Sequence, residues 1–462
     1  MENKKRNIVI IGAGISGLAT AHLLEKAGYK STIIESGSNP GGAMQTLIED
    51  DFLVDFGPNS GLETTPVISE IAKDVGLKEE MIYANEESNT RYILRNGKLM
   101  ALPTSGPAFI SSKLFSLSAK LRLMKEPFVG KSDDGYYQSI ADFVRRRLGS
   151  EFYDYAIDPF VSGVFAGDPE KLSVKSAFPK LYRLEELYGG LVKGMIRGAR
   201  ERKKNAEKSK QNAKMFSFLY GMQTFPEAIA KSLRSKKIYN TSVQKVEKVE
   251  TGYKLNIKTG EEIKEISADL VISTSPAVAT GKIFGGIDAE LKRHLDEIYY
   301  PPVMVLYLGY NKSDIKRPLD GFGYLIPSKE KRKFLGAIWS STIFPNRCAS
   351  DKASFTVFVG GARNQELMKQ DANKIVDDAI AEFSEITEVT GKPVYIKHKI
   401  WERAIPQYNL GHIEHDRYFE KFESDNAGLF LSGNYRGGIS VGDCVKSADL
   451  TAKRVIEFIE KK

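Results

Sequence analysis

The chain is 462 residues long, 42% hydrophobic and 27% charged, with a formal net charge of +8 at pH 7. That length accommodates two or three domains and a large core, and the composition excludes a fibrous or disordered chain. No window approaches eighteen uninterrupted apolar residues and MENKKRN leads straight into an apolar run, so neither a spanning helix nor a cleaved leader is expected.

Asn7 to Ile11 is a short β-branched run of the kind that forms a strand buried on both faces. Gly12, Gly14 and Gly17 follow in G-x-G-x-x-G spacing, with Ala13, Ile15 and Ser16 between them, and an amphipathic helix carrying Leu18, Ala21, Leu24 and Ala27 comes next. Gly12 suits a tight turn, Gly14 a close approach of backbone to a pyrophosphate, and Gly17 the packing of helix on sheet. The helix N-terminus offers free N–H groups and the positive end of its dipole to phosphates. Gly28 closes the helix, Ser31 to Ile34 reads as a second strand, and Glu35 ends it, where a carboxylate can accept hydrogen bonds from an adenosine ribose. Ser36 follows rather than Arg, so nothing prepares for a 2′-phosphate. An ordinary tight turn is the bland alternative, but it gives no reason for strand, glycines, helix, second strand and acid to occur together.

Gly41-Gly42 gives a second permissive turn, Phe52 to Phe56 reads as a strand, and Gly57-Pro58-Asn59-Ser60 is a turn expected to begin the next helix. A paired-glycine segment after the acid is a feature of flavoproteins with two dinucleotide-binding domains, which shifts the cofactor reading to FAD. Ala43 stands where many of those proteins carry Arg or Lys. Over Ala108 to Met124, Ile110, Leu114, Leu117, Leu121 and Met124 form a helical apolar stripe, expected to face the core; the alternative is a helix lying on a membrane surface. Further helical pattern covers Tyr136 to Leu148 and continues from Glu151, so residues 98–215 are expected to be mostly helical.

Lys193 to Lys214 holds nine Lys or Arg against two Glu, expected as a solvated, mobile connection, with a patch for an anionic membrane or substrate as the alternative. No nucleic-acid module surrounds it and no aromatic residue interleaves it, so nucleic acid is not expected. Phe225 to Leu233 reads as a helix, Lys237 to Ile266 as alternating strands, and Asp269 to Thr274 as another buried strand. Between about 286 and 409, Val303 to Tyr310, Phe334 to Trp339 and Phe355 to Gly360 read as strands of a second lobe facing the cofactor. Leu429 to Ser432 is a last buried strand; Gly433, Gly437, Gly438 and Gly442 keep the following backbone bare, and a helix from about Val441 aims its N-terminus at the ligand. The five histidines, His22, His294, His398, His412 and His415, sit in no triad-like or metal-like spacing. His412 and His415 are read as a solvated turn, so no metal is expected. Cys348 and Cys444 form no C-x-x-C and fit a reducing, cytoplasmic compartment as packing residues.

The segment from Asp158 to Met195, DPFVSGVFAGDPEKLSVKSAFPKLYRLEELYGGLVKGM, is the most specific stretch of the chain. With RYILRNGKLMALPTSG from Arg91, GFGYLIP from Gly321, FVGGARN from Phe358 and SGNYRGGISVGDC from Ser432, it resembles the oxygen-dependent protoporphyrinogen oxidases and the related coproporphyrinogen III oxidases. These belong to the wider monoamine oxidase and phytoene desaturase group of flavoproteins, and the resemblance covers essentially the whole chain. It implies noncovalent FAD held by Gly12, Ala13, Gly14, Ile15, Ser16 and Gly17, by Glu35, Ser36 and Gly42, and by the turn Gly57, Pro58, Asn59 and Ser60. Val243 is implied to contribute backbone, Trp401 to lie near the ring, and Ile439, Ser440 and Val441 to lie under the isoalloxazine.

For the substrate, the resemblance implies that Arg91 holds a propionate, by two parallel hydrogen bonds. It also implies that Leu325, Ile338 and Phe358 clamp the flat pyrroles and that Gly163 faces the ring. Asn59, Arg91 and Gly163 would then position the reacting groups, with no dedicated acid or base. Taken singly, the three apolar residues read as ordinary core. The fold implied is α/β, α+β overall: a discontinuous FAD-binding Rossmann-like domain over 1–80, 216–285 and 410–462, a sheet-based substrate lobe over 81–97 and 286–409, and a mainly helical insertion over 98–215.

The implied reaction removes six electrons from protoporphyrinogen IX to give protoporphyrin IX in haem biosynthesis, with O2 as acceptor and H2O2 formed. The alternative is oxidation of coproporphyrinogen III to coproporphyrin III; Arg91 favours the first, because the similar Gram-positive coproporphyrinogen enzymes tend to lack that arginine. An amine oxidase would show a paired-aromatic cage, for which only Trp401 and Tyr435 stand as candidates, and a flavin or porphyrin carrier without turnover is the remaining class. Peripheral contact with the inner face of the membrane, a homodimer and hand-over to a ferrochelatase are further partners in view.

Overall fold

The computed structural model describes residues 6–134, 136–205 and 213–461. Its first layer is a five-stranded parallel sheet in the order Lys236–Ile238, Ser31–Ile34, Ile8–Ile11, Leu270–Ser273, Leu429–Leu431, so strands from both ends and the middle of the chain meet in one sheet. All four residues of Ile8–Ile11 are buried because alternate side chains enter separate cores. Ile8 and Ile10 join Leu18, Ala21, Leu24 and Val445 on one face, and Val9 and Ile11 join Val246, Leu255 and Phe284 on the other. This two-sided burial is what a continuous β-branched run encodes, at about 1.5–3 kcal/mol per fully buried side chain. Helices Ile15–Lys26 and Val441–Glu460 pack together on the first face, and the antiparallel meander Thr241–Lys248, Tyr253–Thr259, Glu262–Ala268 covers the second.

A seven-stranded sheet follows the order Tyr395–Trp401, Val303–Asn311, Lys352–Gly360, Phe334–Ile338, Gly323–Leu325, Arg91–Arg95, Lys98–Ala101, antiparallel except where Gly323–Leu325 meets Arg91–Arg95. Tyr92, Leu94, Leu306, Phe355 and Val357 pack under helix Ala372–Thr387. The two-residue alternation therefore sends Arg91, Ile93, Leu325, Ile338, Thr356 and Phe358 to the opposite face. The helical part, with Ile140–Leu148, Asp158–Phe165 and Pro179–Tyr188, has its own core of Phe143, Val144, Val161, Phe165 and Leu191.

Four expectations are corrected. The single helix over Ala108 to Met124 is two, Gly106–Ser111 and Leu117–Met124, because Ser112 and Ser116 are extended and Ser116 caps the second helix. Its stripe does not face the core: Leu114 is buried, but Ile110, Leu117, Leu121 and Met124 are 53–73% exposed. The turn at Gly57–Ser60 leads first into the short strand Gly61–Leu62, and the helix waits for Pro66, capped by Thr65. His412 and His415 sit on helix His412–Asp425 rather than in a solvated turn, with His412 buried and stacked on Tyr408 at 4.2 Å. The basic run from Lys193 is helical through Asn205, and its residues 206–212 lie outside the described residues. No helix of the described residues is long and apolar enough to cross a membrane.

Candidate active site

The glycine turn after Ile11 is shaped by contacts that no side chain could share. Gly12 has φ +103°, and a Cβ on Gly17 would stand 2.1 Å from the Gly12 carbonyl oxygen. Gly14 is different, because a Cβ there would meet nothing within 4 Å. The helix starting at Ile15 has no capping side chain and no acid in its first turn, which leaves its first N–H groups without acceptors. Glu35 is fixed beside it: one carboxylate oxygen accepts from Ala13 N–H at 2.7 Å, the other from Gly37 N–H at 2.7 Å and the Ser36 hydroxyl at 3.2 Å. Gly41 donates its N–H to the Ala13 carbonyl at 2.9 Å, and a Cβ on Gly42 would lie 3.3 Å from Gly14 Cα, so the second glycine pair closes on the first. Gly57 lies so close to Ala43 that a Cβ would be 1.8 Å from its carbonyl oxygen, which starts the Pro58-Asn59-Ser60 turn from that same cradle. An uncapped helix N-terminus above a bare glycine suits a pyrophosphate and the tethered carboxylate suits a ribose, so these residues fit FAD.

The C-terminal glycine loop is clamped by Tyr408, whose phenol oxygen accepts from Gly438 N–H at 2.9 Å and whose proton goes to the Asn434 carbonyl at 2.8 Å. Burial holds that phenol's pKa well above its usual value, so the proton stays. Ser440 spends its hydroxyl as a helix cap, accepting from Asp443 N–H at 3.1 Å and donating to the Asp443 carboxylate at 2.7 Å. Ile439 packs against the helical part and Val441 joins Ile15 in the core, which leaves the backbone of these three residues to meet a ligand. Val243 likewise has its side chain in the core, at a bulge before Lys245. Burial pushes the Cys444 thiol up to about 11, which leaves it inert.

Two rows of residues cross the other face of the seven-stranded sheet, much of it covered by neighbouring elements: Thr356 is fully buried, and Tyr307 packs on Phe52 and Ile93 on Leu114 and Phe115. In register the rows are Arg91, Gly323, Ile338, Thr356, Tyr307 and then Ile93, Leu325, Gly336, Phe358, Val305, Lys399. Asn59 donates its amide to the Thr356 hydroxyl at 3.1 Å, and Asn59, Ser60, Phe322 and Ile338 line a small cavity of about 10 Å³. The Arg91 guanidinium lies 5.2 Å over the Phe322 ring and has no carboxylate partner among the described residues. Arg91 is itself exposed at the end of its strand, and partial desolvation lowers its pKa. Gly163 meets this wall directly, since a Cβ there would be 2.5 Å from Leu325 Cδ2. Phe358 packs with Ala166, Val303 and Leu335. Asn59, Ile338 and Arg91's ring partner Phe322 thus line one small cavity, Gly163 touches Leu325, and no hydrogen bond joins Arg91 to Asn59 or Gly163 among the described residues.

Lys399 escaped the sequence reading. Its ammonium sits 4.4 Å from the Trp401 ring centroid, bonds Gln45, and has no carboxylate partner among the described residues; desolvation lowers its pKa. Gln45 donates in turn to the Gly42 carbonyl at 2.9 Å, and Trp401 donates its indole N–H to Phe56 at 2.7 Å, which ties the edge strand to the glycine cradle. The signal for Lys399 was its two-residue spacing from Trp401, visible only once Tyr395–Trp401 is known to be a strand.

A family model described as flavin containing amine oxidoreductase matches residues 15–456. The chain belongs to this family. It is an FAD-dependent oxidoreductase. Among its relatives, protoporphyrinogen oxidase 2 of Arabidopsis thaliana is 34% identical over 98% of this chain and 94% of its own length. The coproporphyrinogen III oxidase of Bacillus subtilis is 27% identical over 99% of this chain and 100% of its own. These relatives bear out the resemblance read from the Asp158 to Met195 segment. The fold is shared with a crystal structure from Exiguobacterium sp. 255-15, at TM-score 0.80 and 21% identity over 99% of this chain and 100% of the other. It is also shared with the cyclohexylamine oxidase of Brevibacterium oxydans, at 0.70 and 16% over 99% and 100%. The mixed α/β expectation holds.

Proposed function

We propose that this flavoenzyme oxidises protoporphyrinogen IX to protoporphyrin IX with O2 as acceptor. Arg91 carries the reading: a guanidinium without a carboxylate partner among the described residues, at the border of a wall made of Leu325, Ile338 and Phe358, suits a flat apolar macrocycle with a carboxylate at its rim. FAD bound in the glycine cradle supplies a two-electron acceptor that O2 regenerates with release of H2O2, so three rounds remove six electrons.

The chain's own part is to hold and to dry. The apolar wall excludes water from the bridge carbons, Gly163 leaves room for Leu325 to lie flat, and Asn59 keeps its turn against Thr356 so that cradle and wall stay in fixed register. No general base enters this reading.

Anaerobically prepared protoporphyrinogen and coproporphyrinogen, offered in turn with O2 then admitted, test it through porphyrin fluorescence and peroxide. Oxidation of neither above the spontaneous rate ends the enzyme reading, and a strong preference for the four-propionate ring transfers it to coproporphyrinogen III. Arg91→Ala is expected to raise KM about 10- to 100-fold, the worth of a charge-assisted hydrogen bond, with FAD affinity unchanged. An equal loss of flavin would make Arg91 structural instead.

The helical part offers a second surface. Leu117, Leu121, Met124 and Phe128 are exposed, Phe128 by 89%, beside the exposed Lys113 and Lys125. The protein is expected to co-sediment with anionic vesicles at low salt and to be released as salt rises. No co-sedimentation at low salt removes the membrane from this reading.

A further inference from the structure

Away from the candidate active site, two helices bring two imidazoles and a carboxylate together. His294 lies in the last turn of Ala289–Asp296, Glu297 caps that helix, and His415 is in the first turn of His412–Asp425. The two Nδ1 atoms are 2.8 Å apart, and one donor atom from each of the three residues falls within 4.8 Å of the others. Two facing Nδ1 atoms 2.8 Å apart can share only one proton, so one of them presents a lone pair. Other groups hold the helices in place. Asp288 caps the first helix at Leu291 N–H, 2.9 Å away, and also accepts the Tyr418 hydroxyl at 2.9 Å, while the Tyr418 ring stacks on His294 at 4.4 Å.

We propose that His294 Nδ1, His415 Nδ1 and a Glu297 carboxylate oxygen bind a divalent transition-metal ion of the zinc class. Two imidazoles and a carboxylate are a donor set that such ions take, with water completing the tetrahedron. The proton bookkeeping closes without net release. In the metal-free protein Arg293 lies 3.2 Å from His294 Nε2 and donates to it, so the single His294 proton sits on Nδ1 and points at His415. Metal binding moves that proton through solvent to Nε2, where the Glu290 carboxylate, 3.6 Å away, is placed to accept it. A carboxylate on the far nitrogen is the usual support of a metal-bound imidazole. Arg293 is half exposed and bonds both Glu290 and Glu297, so it can yield Glu297 to the ion and retain Glu290.

Holoenzyme without a histidine tag, titrated with Zn2+ by calorimetry and with Co2+ by visible difference absorption, is expected to take up one ion per chain, with a tetrahedral Co2+ band. Glu297→Ala, an exposed change, is expected to weaken binding at least ~10-fold, and Glu290→Gln about 10-fold. His415→Ala is expected to abolish it in protein whose circular dichroism and flavin spectrum match the parent. Absence of uptake overturns the proposal, as does uptake equal in the parent, Glu297→Ala and Glu290→Gln; these two exposed variants decide the matter if His415→Ala does not fold.

Discussion

Gly14→Ala is expected to purify folded but colourless, whereas Gly17→Ala, the same added methyl three residues on, is expected not to fold. At Gly17 the new Cβ would lie 2.1 Å from the Gly12 carbonyl oxygen and 2.7 Å from the Thr274 hydroxyl, so strand, turn and helix would all have to separate. At Gly14 it meets no protein atom within 4 Å and φ is −73°, an ordinary value for alanine. The protein loses only the small preference for Gly over Ala at a helix N-cap, about 0.5–1 kcal/mol. What the methyl fills is the space through which a pyrophosphate approaches the first-turn N–H groups. Flavin affinity is therefore expected to fall at least ~100-fold, or ~2.7 kcal/mol, while the apoprotein melts within a few degrees of the parent. Flavin absorbance after reconstitution with excess FAD, together with the apoprotein Tm, checks this. A Gly14→Ala protein that stays yellow at parental stoichiometry would move the pyrophosphate elsewhere.

The cradle could be read from sequence because each of its requirements is local. Strand, turn, helix, second strand and acid lie within Ile8 to Glu35, and the burial that selects Ile, Val and Gly there acts on neighbours in the chain. The seven-stranded sheet was harder. Gly323–Leu325 is three residues long, and Tyr395–Trp401 is an edge strand whose Lys397 and Lys399 blur the alternation. The Ala108 to Met124 stripe shows a second limit: periodicity reports that a helix has an apolar face, not whether protein covers it. Partnership is the third. That Arg91 lacks a carboxylate partner among the described residues and that Lys399 meets Gln45 across 354 residues are facts of tertiary packing with no local trace.

The second large effect lies in the helical part, at Arg147. Its side chain is fully buried and every guanidinium N–H has an acceptor: Glu185 at 2.6 Å, Glu126 at 2.9 Å, and the carbonyls of Val129, Gly130 and Gly189 at 3.1 Å. Glu126, also fully buried, accepts from the Leu191 and Val192 N–H groups at the start of the next helix. One cation therefore fixes two loops and, through Glu126, a helix start. Arg147→Met keeps most of the volume but strands the Glu126 carboxylate in the interior, at an expected cost of ~3–5 kcal/mol. Adding Glu126→Gln removes the stranded charge and should recover much of that loss, which a merely volumetric defect would not allow.

The acid dependence of Arg147→Met follows with a definite sign. Desolvation works to raise the Glu185 pKa, but its bonds to Arg147 and Arg146 prevail and hold it below the ordinary 4.5. A depressed carboxylate stabilises the fold above about 4.5 and loses that contribution as pH falls through its lowered value, so parent and variant should converge in acid. Val161 and Phe165 belong to this core and flank Gly163, so the variant should raise KM for the porphyrinogen; Tyr408 and Ile439 tie the same core to the C-terminal glycine loop, but the glycine cradle rests on another core, so flavin is expected to stay bound through the cradle. Limited proteolysis between 126 and 191, followed beside flavin release, separates the two events. If chain cleavage and flavin loss occur at the same temperature, the two cores melt as one unit and Arg147 supports the cradle as well as the wall.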